Sequence, residues 1–278
     1  MRQIAIYGKG GIGKSTVVTN VAAALASMNR RVLQVGCDPK RDSTRAHLRG
    51  KRQGTLLDML RDAGAYRDVA RKFVLDDFIE VGTDGVHCVE AGGPEPGVGC
   101  AGRGIIVTIE TLRELGVYDR DYEIIFYDVL GDVVCGGFAM PIREGFAEEI
   151  YLVVSGEFLA LYAANNICRG IARYASGGRA RLAGLIGNLR NVPNEAELIE
   201  AFAEALGTRV VHLIPRSDAV TRAENARQTV IEHAPDSDLA QTYRDIATKV
   251  LDNDALVIPA PLDESRLDDL VFSIRSGC

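Results

Sequence analysis

Two cysteines and one glycine-rich loop carry most of the chemistry available to this chain. Cys100 and Cys135 each stand in a glycine-rich turn, and both lie downstream of Gly8-Lys9-Gly10-Gly11-Ile12-Gly13-Lys14-Ser15-Thr16. From Gly8 to Ser15 that loop fits the phosphate-binding pattern G-x-x-x-x-G-K-S/T. Its glycines let backbone N–H groups close around phosphate oxygens, Lys14 brings charge to the terminal phosphates, and the Ser15 hydroxyl is placed to ligate Mg2+. The apolar run Ile4-Ala5-Ile6-Tyr7 precedes the loop and a helical pattern starts near Ser15, so the strand, turn and helix that the pattern requires are all present. A phosphate cradle followed by two thiols in turns points to ATP hydrolysis joined to a redox centre. The plainer alternative is a chance match and two idle thiols.

The carboxylates fit the same reading. Glu123-Ile124-Ile125-Phe126-Tyr127-Asp128 reads as a strand delivering a carboxylate to the outer shell of magnesium. It runs on into Val129-Leu130-Gly131-Asp132, whose D-x-x-G-D spacing resembles a switch II segment, a resemblance that implies a Gly131 N–H turned to a γ-phosphate and an Asp132 that orients the attacking water. A second acidic segment, Asp38-Pro39-Lys40-Arg41-Asp42-Ser43-Thr44, resembles a switch I segment, which implies a place for Asp38 and Asp42 near water and magnesium. The alternative there is a polar loop in which Asp42 or Ser43 caps a helix. Cys135 follows Asp132 closely, so any ATP-driven movement of that segment moves Cys135.

A 4Fe-4S cluster normally takes four thiolates, and this chain offers two in suitable surroundings. A two-fold dimer doubles two to four, which suggests one cluster bridging two copies. A catalytic thiol is the competing reading of Cys100 or Cys135. Of the other cysteines, Cys37, Cys88 and Cys168 stand in strand or helix contexts that suit buried thiols, and Cys278 is the last residue, where mobility is expected. There is no C-x-x-C pair and no need of a disulfide framework.

Positioning these groups requires a sheet. Short β-branched runs at 4–7, 32–35, 86–89, 124–127, 150–154, 182–186, 210–214 and 256–258 alternate with helical patterns. That alternation predicts an α/β fold with a doubly wound, mostly parallel sheet, whose ligands bind beyond the carboxyl ends of the strands. The loop, Asp38, the Cys100 region and Asp128 all follow strand ends, so one edge of the sheet is expected to gather them. Residues 61–77 read as a charged, helical surface excursion. With 278 residues and no linker, the chain is expected to form a single domain over 1–278. A net charge of −6 argues against nucleic acid as a partner, and no apolar run approaches the span of a bilayer. The start of the first strand at Arg2-Gln3-Ile4 leaves no room for a signal peptide, so a cytoplasmic location without membrane attachment is expected.

The pattern K-G-G-x-G-K around Lys9 resembles the deviant Walker A loop of the P-loop NTPases that include partitioning ATPases, septum-site ATPases and nitrogenase iron proteins. In that family the Lys9 position reaches across a dimer interface to the other subunit's nucleotide, so the resemblance implies a homodimer. Longer segments narrow it. GKGGIGKST, GCDPKRDSTR, GGPEPGVGCAGRG and YDVLGDVVCGGFAMPIRE, followed by IYLVVSGE and YAANNI, resemble the nitrogenase iron protein family from Arg2 to about Pro261. The resemblance implies that Cys100 and Cys135 ligate a 4Fe-4S cluster shared by two subunits. It implies nucleotide contacts from Lys9, Gly13, Lys14, Ser15 and Thr16, switch roles for Asp38, Lys40, Asp42, Asp128 and Asp132, and a place near adenine for Asn188. Arg103 matches an arginine beside the cluster that takes part in docking and is open to ADP-ribosylation.

The family further implies a catalytic nitrogenase or nitrogenase-like component as electron acceptor and a low-potential ferredoxin or flavodoxin as donor. Four departures bear on partner choice and nucleotide contact. Arg41 replaces a usual alanine, residues 65–73 are longer than the family's equivalent, and Ser217 and Leu239 replace polar residues near the nucleoside. The first two face the partner side, which favours a nitrogenase-like system, such as methylthio-alkane reductase, over nitrogen fixation itself. From another class, a cluster-free partitioning ATPase shares the loop and Lys9 without accounting for the two cysteines, and a cluster-loading scaffold would also bridge a dimer.

Overall fold

The computed structural model describes residues 1–64, 69–93, 101–129, 131, 146–176 and 180–276. Its centre is an eight-stranded sheet in the order β3-β4-β2-β5-β1-β6-β7-β8. The strands are β1 (Arg2–Tyr7), β2 (Val32–Gly36), β3 (Glu80–Val81), β4 (His87–Glu90), β5 (Ile124–Asp128), β6 (Glu149–Val154), β7 (Arg181–Asn188) and β8 (Val210–Ile214). All pairs are parallel except the edge pair β3–β4. Parallel neighbours need crossovers, and the helices that supply them cover both faces of the sheet.

Strand periodicity sorts the core into two layers. Ile4 and Ile6 of β1, with Ile124 and Phe126 of β5, point to the face covered by α1 (Lys14–Ser27) and α9 (Asp238–Leu251). Ala5 and Tyr7, with Ile125 and Tyr127, point to the opposite face. That face packs on α2 (Leu56–Asp62), α4 (Ala101–Glu114), α5 (Phe158–Tyr174), α6 (Glu195–Ala205) and α10 (Glu264–Ser276). The central strands read as unbroken apolar runs because both of their faces are covered.

Two expectations are corrected. Residues 256–258 form no strand; Val257 makes only an isolated antiparallel bridge to Leu182. Residues 61–77 are not one helix, because α2 ends at Asp62, where Gly64 adopts a positive φ of 59°. A short helix α3 (Val69–Lys72) and a 3-10 turn (Leu75–Asp77) follow, and Val69, Leu75 and Phe78 are buried against the sheet. The second half of this excursion is therefore anchored in the core. Among the described residues no helix is long and apolar enough to cross a membrane.

Candidate functional site

The phosphate loop joins β1 to α1 over the carboxyl edge of the sheet. Gly13 takes φ 102°, a left-handed conformation that favours glycine, and α1 starts directly after it. The loop leaves β1 so close to β6 that a side chain on Gly8 would strike the Val153 carbonyl. Asn188, at the end of β7, donates from its amide to the Ile12 carbonyl at 2.7 Å, and Arg190 donates to the Gly11 carbonyl at 3.0 Å. The loop is thus held from β6 and β7 as well as by its own turn. Lys14 is buried, and its Nζ folds back to donate to the Lys9 carbonyl at 3.2 Å.

A cavity of about 290 Å³ opens above the loop. Gly10, Gly11, Gly13, Lys14, Ser15 and Thr16 line one side of it, and Asp38, Lys40, Asp42 and Asp128 line the other. The structure therefore brings these predicted residues around one space. Lys9 faces a neighbouring cavity of about 380 Å³ with Glu157, Arg190 and Arg216. A third cavity of about 510 Å³ shares Ser15, Thr16 and Asp42 and extends beneath α7 (Asp218–Asn225).

Asp128 is wholly buried at the end of β5, and its carboxylate accepts hydrogen bonds from Ser15 and, at 2.6 Å, from Ser43. Burial pushes its carboxyl up, while the two hydroxyl donors and the Lys14 charge oppose that shift. Ser43 therefore does not cap a helix; residues 38–50 form turns, and its hydroxyl is spent on Asp128. Asp38 holds its own turn by accepting from the Lys40 N–H at 2.9 Å.

Sequence reasoning missed Glu90. It is 1% exposed at the end of β4 and accepts from the Thr44 N–H at 2.8 Å and the Thr44 hydroxyl at 2.7 Å. Its second oxygen has no partner. Burial, with Asp128 and Asp42 nearby, pushes its carboxyl up to about 7 against the pull of the Thr44 bonds. A carboxylate inside an apolar strand, Cys88-Val89-Glu90-Ala91, was the available signal.

Cys100, Asp132 and Cys135 lie outside the described residues, as do Cys278 and residues 65–68, the first part of the 65–73 departure. Arg103 falls in the first turn of α4, with its side chain outside the described part. Gly93 and Gly131, which precede the two cysteines in the chain, are described. Gly131 sits against the phosphate loop: a Cβ there would lie 2.5 Å from the Gly10 nitrogen and the Gly8 oxygen and 2.7 Å from Lys14 Nζ. Gly93 sits against the acidic segment, where a Cβ would lie 2.6 Å from Pro39 Cβ. The other departures have structural roles. Ser217 caps α7 by accepting from the Ala219 N–H at 3.2 Å, and Leu239 is buried in the α9 core. Arg41, at φ 57°, pairs with Asp58 on α2 at 2.6 Å.

A glycine loop between β1 and α1, faced by a strand-end carboxylate, defines a P-loop protein of the α/β class. Residues 2–276 match the family described as 4Fe-4S iron sulfur cluster binding proteins, NifH/frxC family, and the chain belongs to it. Solved structures share the fold. The cell division ATPase MinD of Pyrococcus furiosus is 21% identical, with a TM-score of 0.67 over 90% of this chain and 98% of its own. A ParA family ATPase of Chlorobium tepidum gives 19% identity and 0.67 over 89% and 97%. Cobyrinic acid a,c-diamide synthase of Mycobacterium smegmatis, solved with an ATP analog and magnesium, gives 19% and 0.64 over 90% and 94%.

Proposed function

We propose that this protein is an ATP-dependent electron carrier. In this reading two copies form a homodimer that holds one 4Fe-4S cluster through Cys100 and Cys135 of each, with one Mg-ATP per subunit. Single electrons arrive from a low-potential ferredoxin or flavodoxin and pass to a separate catalytic component of a nitrogenase-like system such as methylthio-alkane reductase. The observation that supports the reading is that Gly131, four residues before Cys135, packs against the phosphate loop, and Gly93, seven residues before Cys100, packs against Pro39 of the acidic segment.

The donor set fits such a cluster. Cys37, Cys88 and Cys168 are buried, and burial pushes each thiol well up, which disfavours the thiolate that iron requires. Of the three cysteines that remain, Cys278 is the last residue, and Cys100 and Cys135 are the pair that stands in glycine-rich turns; when bound the cluster would supply one-electron chemistry at low potential. Ser15 and Asp128, with Asp38 and Asp42 lining the same cavity, would hold Mg2+, which would neutralise phosphate charge there. Lys14 balances phosphate charge, Lys9 faces the open side toward a second subunit, and Asp132 orients water. A γ-phosphate drawing on the Gly131 N–H pulls the Cys135 segment with it. The cluster-free partitioning reading shares the fold but gives Gly93, Gly131 and the two cysteines no common purpose. The iron protein of a true nitrogenase differs only in the partner.

The test is iron content after anaerobic purification. Cys100→Ser and Cys135→Ser should each lose the cluster, because a hydroxyl is a poor ligand for iron. Cys88→Ala and Cys168→Ala should keep it. A full iron complement in either serine variant would refute the bridging reading.

A further inference from the structure

A chain of buried hydrogen bonds runs beneath the acidic segment and ends at Asp128. His47 is completely buried, with Nδ1 against the Asp84 carboxylate and Nε2 3.0 Å from Gln34 Oε1. Gln34, also completely buried, donates from Nε2 to the Ser43 carbonyl and the Ser43 hydroxyl, each at 2.9 Å, and to the Thr19 hydroxyl at 3.2 Å. Ser43 in turn donates to Asp128. The line Asp84–His47–Gln34–Ser43–Asp128 thus joins the turn between β3 and β4 to the carboxylate facing the phosphate loop.

Donor and acceptor chemistry fixes the direction of each bond from His47 Nε2 to Asp128. A carbonyl only accepts, so the amide N–H groups of Gln34 must face Ser43, and Oε1 must face His47. The Ser43 hydroxyl gives its one proton to Asp128, so it too accepts from Gln34. Nε2 of His47 must then donate. Nδ1 faces the Asp84 carboxyl, which also accepts from the Val86 N–H at 3.2 Å, and that contact holds the ring in place. A ring without a proton on Nε2 would leave Gln34 Oε1 facing a lone pair in a buried site, which is costly.

We propose that His47 is a positioning residue: held by Asp84 at Nδ1 and donating from Nε2 to Gln34, it locks the Gln34 amide, which holds Ser43 so that its hydroxyl donates to Asp128 and presents that carboxylate to the magnesium side of the nucleotide cavity. The proposal rests on the nucleotide part of the function above and is independent of the cluster. Without His47, Gln34 Oε1 loses its donor and the amide is held from Ser43 and Thr19 alone, so it holds the Ser43 hydroxyl less firmly toward Asp128. A serine hydroxyl competing for Asp128 in random orientation is a weaker second layer around Mg2+, and loss of such groups typically costs about 10–100-fold in metal affinity.

The experiment titrates Mg2+ into anaerobically purified protein holding a fluorescent ATP analogue, for the native chain, His47→Leu, Ser43→Ala and the double variant, with thermal unfolding followed in parallel. His47→Leu should raise the half-saturating Mg2+ concentration about tenfold or more. Adding it to Ser43→Ala should raise it no further, because both act through one bond. A native Mg2+ requirement in folded His47→Leu, or additive effects in the double variant, overturns the proposal.

Should His47→Leu fail to fold, 15N NMR of the native protein decides the matter. Substitution of His87, His212 and His233 assigns the remaining ring by elimination among the four histidines. A protonated Nε2 at His47 is the expected signature, and an unprotonated Nε2 overturns the proposal. If native protein binds Mg-nucleotide with this signature yet transfers no electrons, the electron-carrier reading falls while His47 keeps its role.

Discussion

At the scale of single residues, burial decides what each ionisable group can do. Glu90 shows this most clearly, because its carboxyl is driven from 4.5 to about 7 by desolvation and has one unpartnered oxygen. The folded state therefore holds this proton more tightly than the unfolded chain does. Stability should fall as pH rises from about 4.5 to 7, with Glu90 contributing about 3 kcal/mol to that fall. Asp128, also pushed up by burial, acts in the same direction. In nucleotide-free protein, Glu90→Gln should shrink the stability difference between pH 5 and pH 8 measured by denaturant midpoint. An unchanged difference would mean that Glu90 is ionised in the fold throughout. Lys14→Gln should abolish Mg-ATP binding, measured by calorimetry, since Lys14 is the buried cation that lines the phosphate cavity.

At the scale of elements, close backbone contacts couple parts that sequence keeps far apart. Gly131 leaves no room for a methyl group beside the Gly8 and Gly10 backbone. Neither neighbour is a flexible side chain, so Gly131→Ala must displace the loop or the segment that follows it. Overpacking of this kind costs about 1–3 kcal/mol, or roughly tenfold to a hundredfold in a binding equilibrium. Gly131→Ala should weaken Mg-ATP binding by that factor and erase the nucleotide response of the Cys135 segment. Iron release to a chelator, timed with and without Mg-ATP, checks the second point: the native protein should show two rates and the variant one. Equal rates in the native protein would remove the coupling altogether.

At the scale of the whole molecule, the question is which partner the proposed dimer would accept. Arg41 does not project freely but pairs with Asp58, which Arg61 also holds at 3.0 Å, while Arg61 reaches the Gly93 carbonyl at 3.5 Å. The acidic segment, α2 and the approach to Cys100 are thereby joined along one rim. Added bulk and charge there oppose a surface shaped for a smaller loop. With a molybdenum-nitrogenase catalytic component, the native protein should support only slow ATP-dependent acetylene reduction. Arg41→Ala combined with shortening of residues 65–73 should raise the rate, and Arg103→Ala should lower it with any partner. Fast turnover by the native protein would return it to nitrogen fixation proper.

Much of this was legible in the chain itself. The phosphate loop, the strand ending at Asp128 and the alternation that builds a parallel sheet are local patterns, because glycine torsions, apolar runs and helix starts depend on near neighbours. The strand expected at 256–258 failed for the complementary reason: a short apolar run becomes a strand only if an edge is free to pair along its length, and Val257 finds a single bridge to Leu182. Glu90 against Thr44, Gly131 against Gly8 and Gly10, and the line from Asp84 through His47 and Gln34 to Asp128 join residues 46, more than 120 and 44 positions apart at their ends. No spacing rule reaches that far. Which polar groups are buried together, and therefore which must donate and which accept, was decided only when the sheet brought the ends of β2, β4 and β5 side by side.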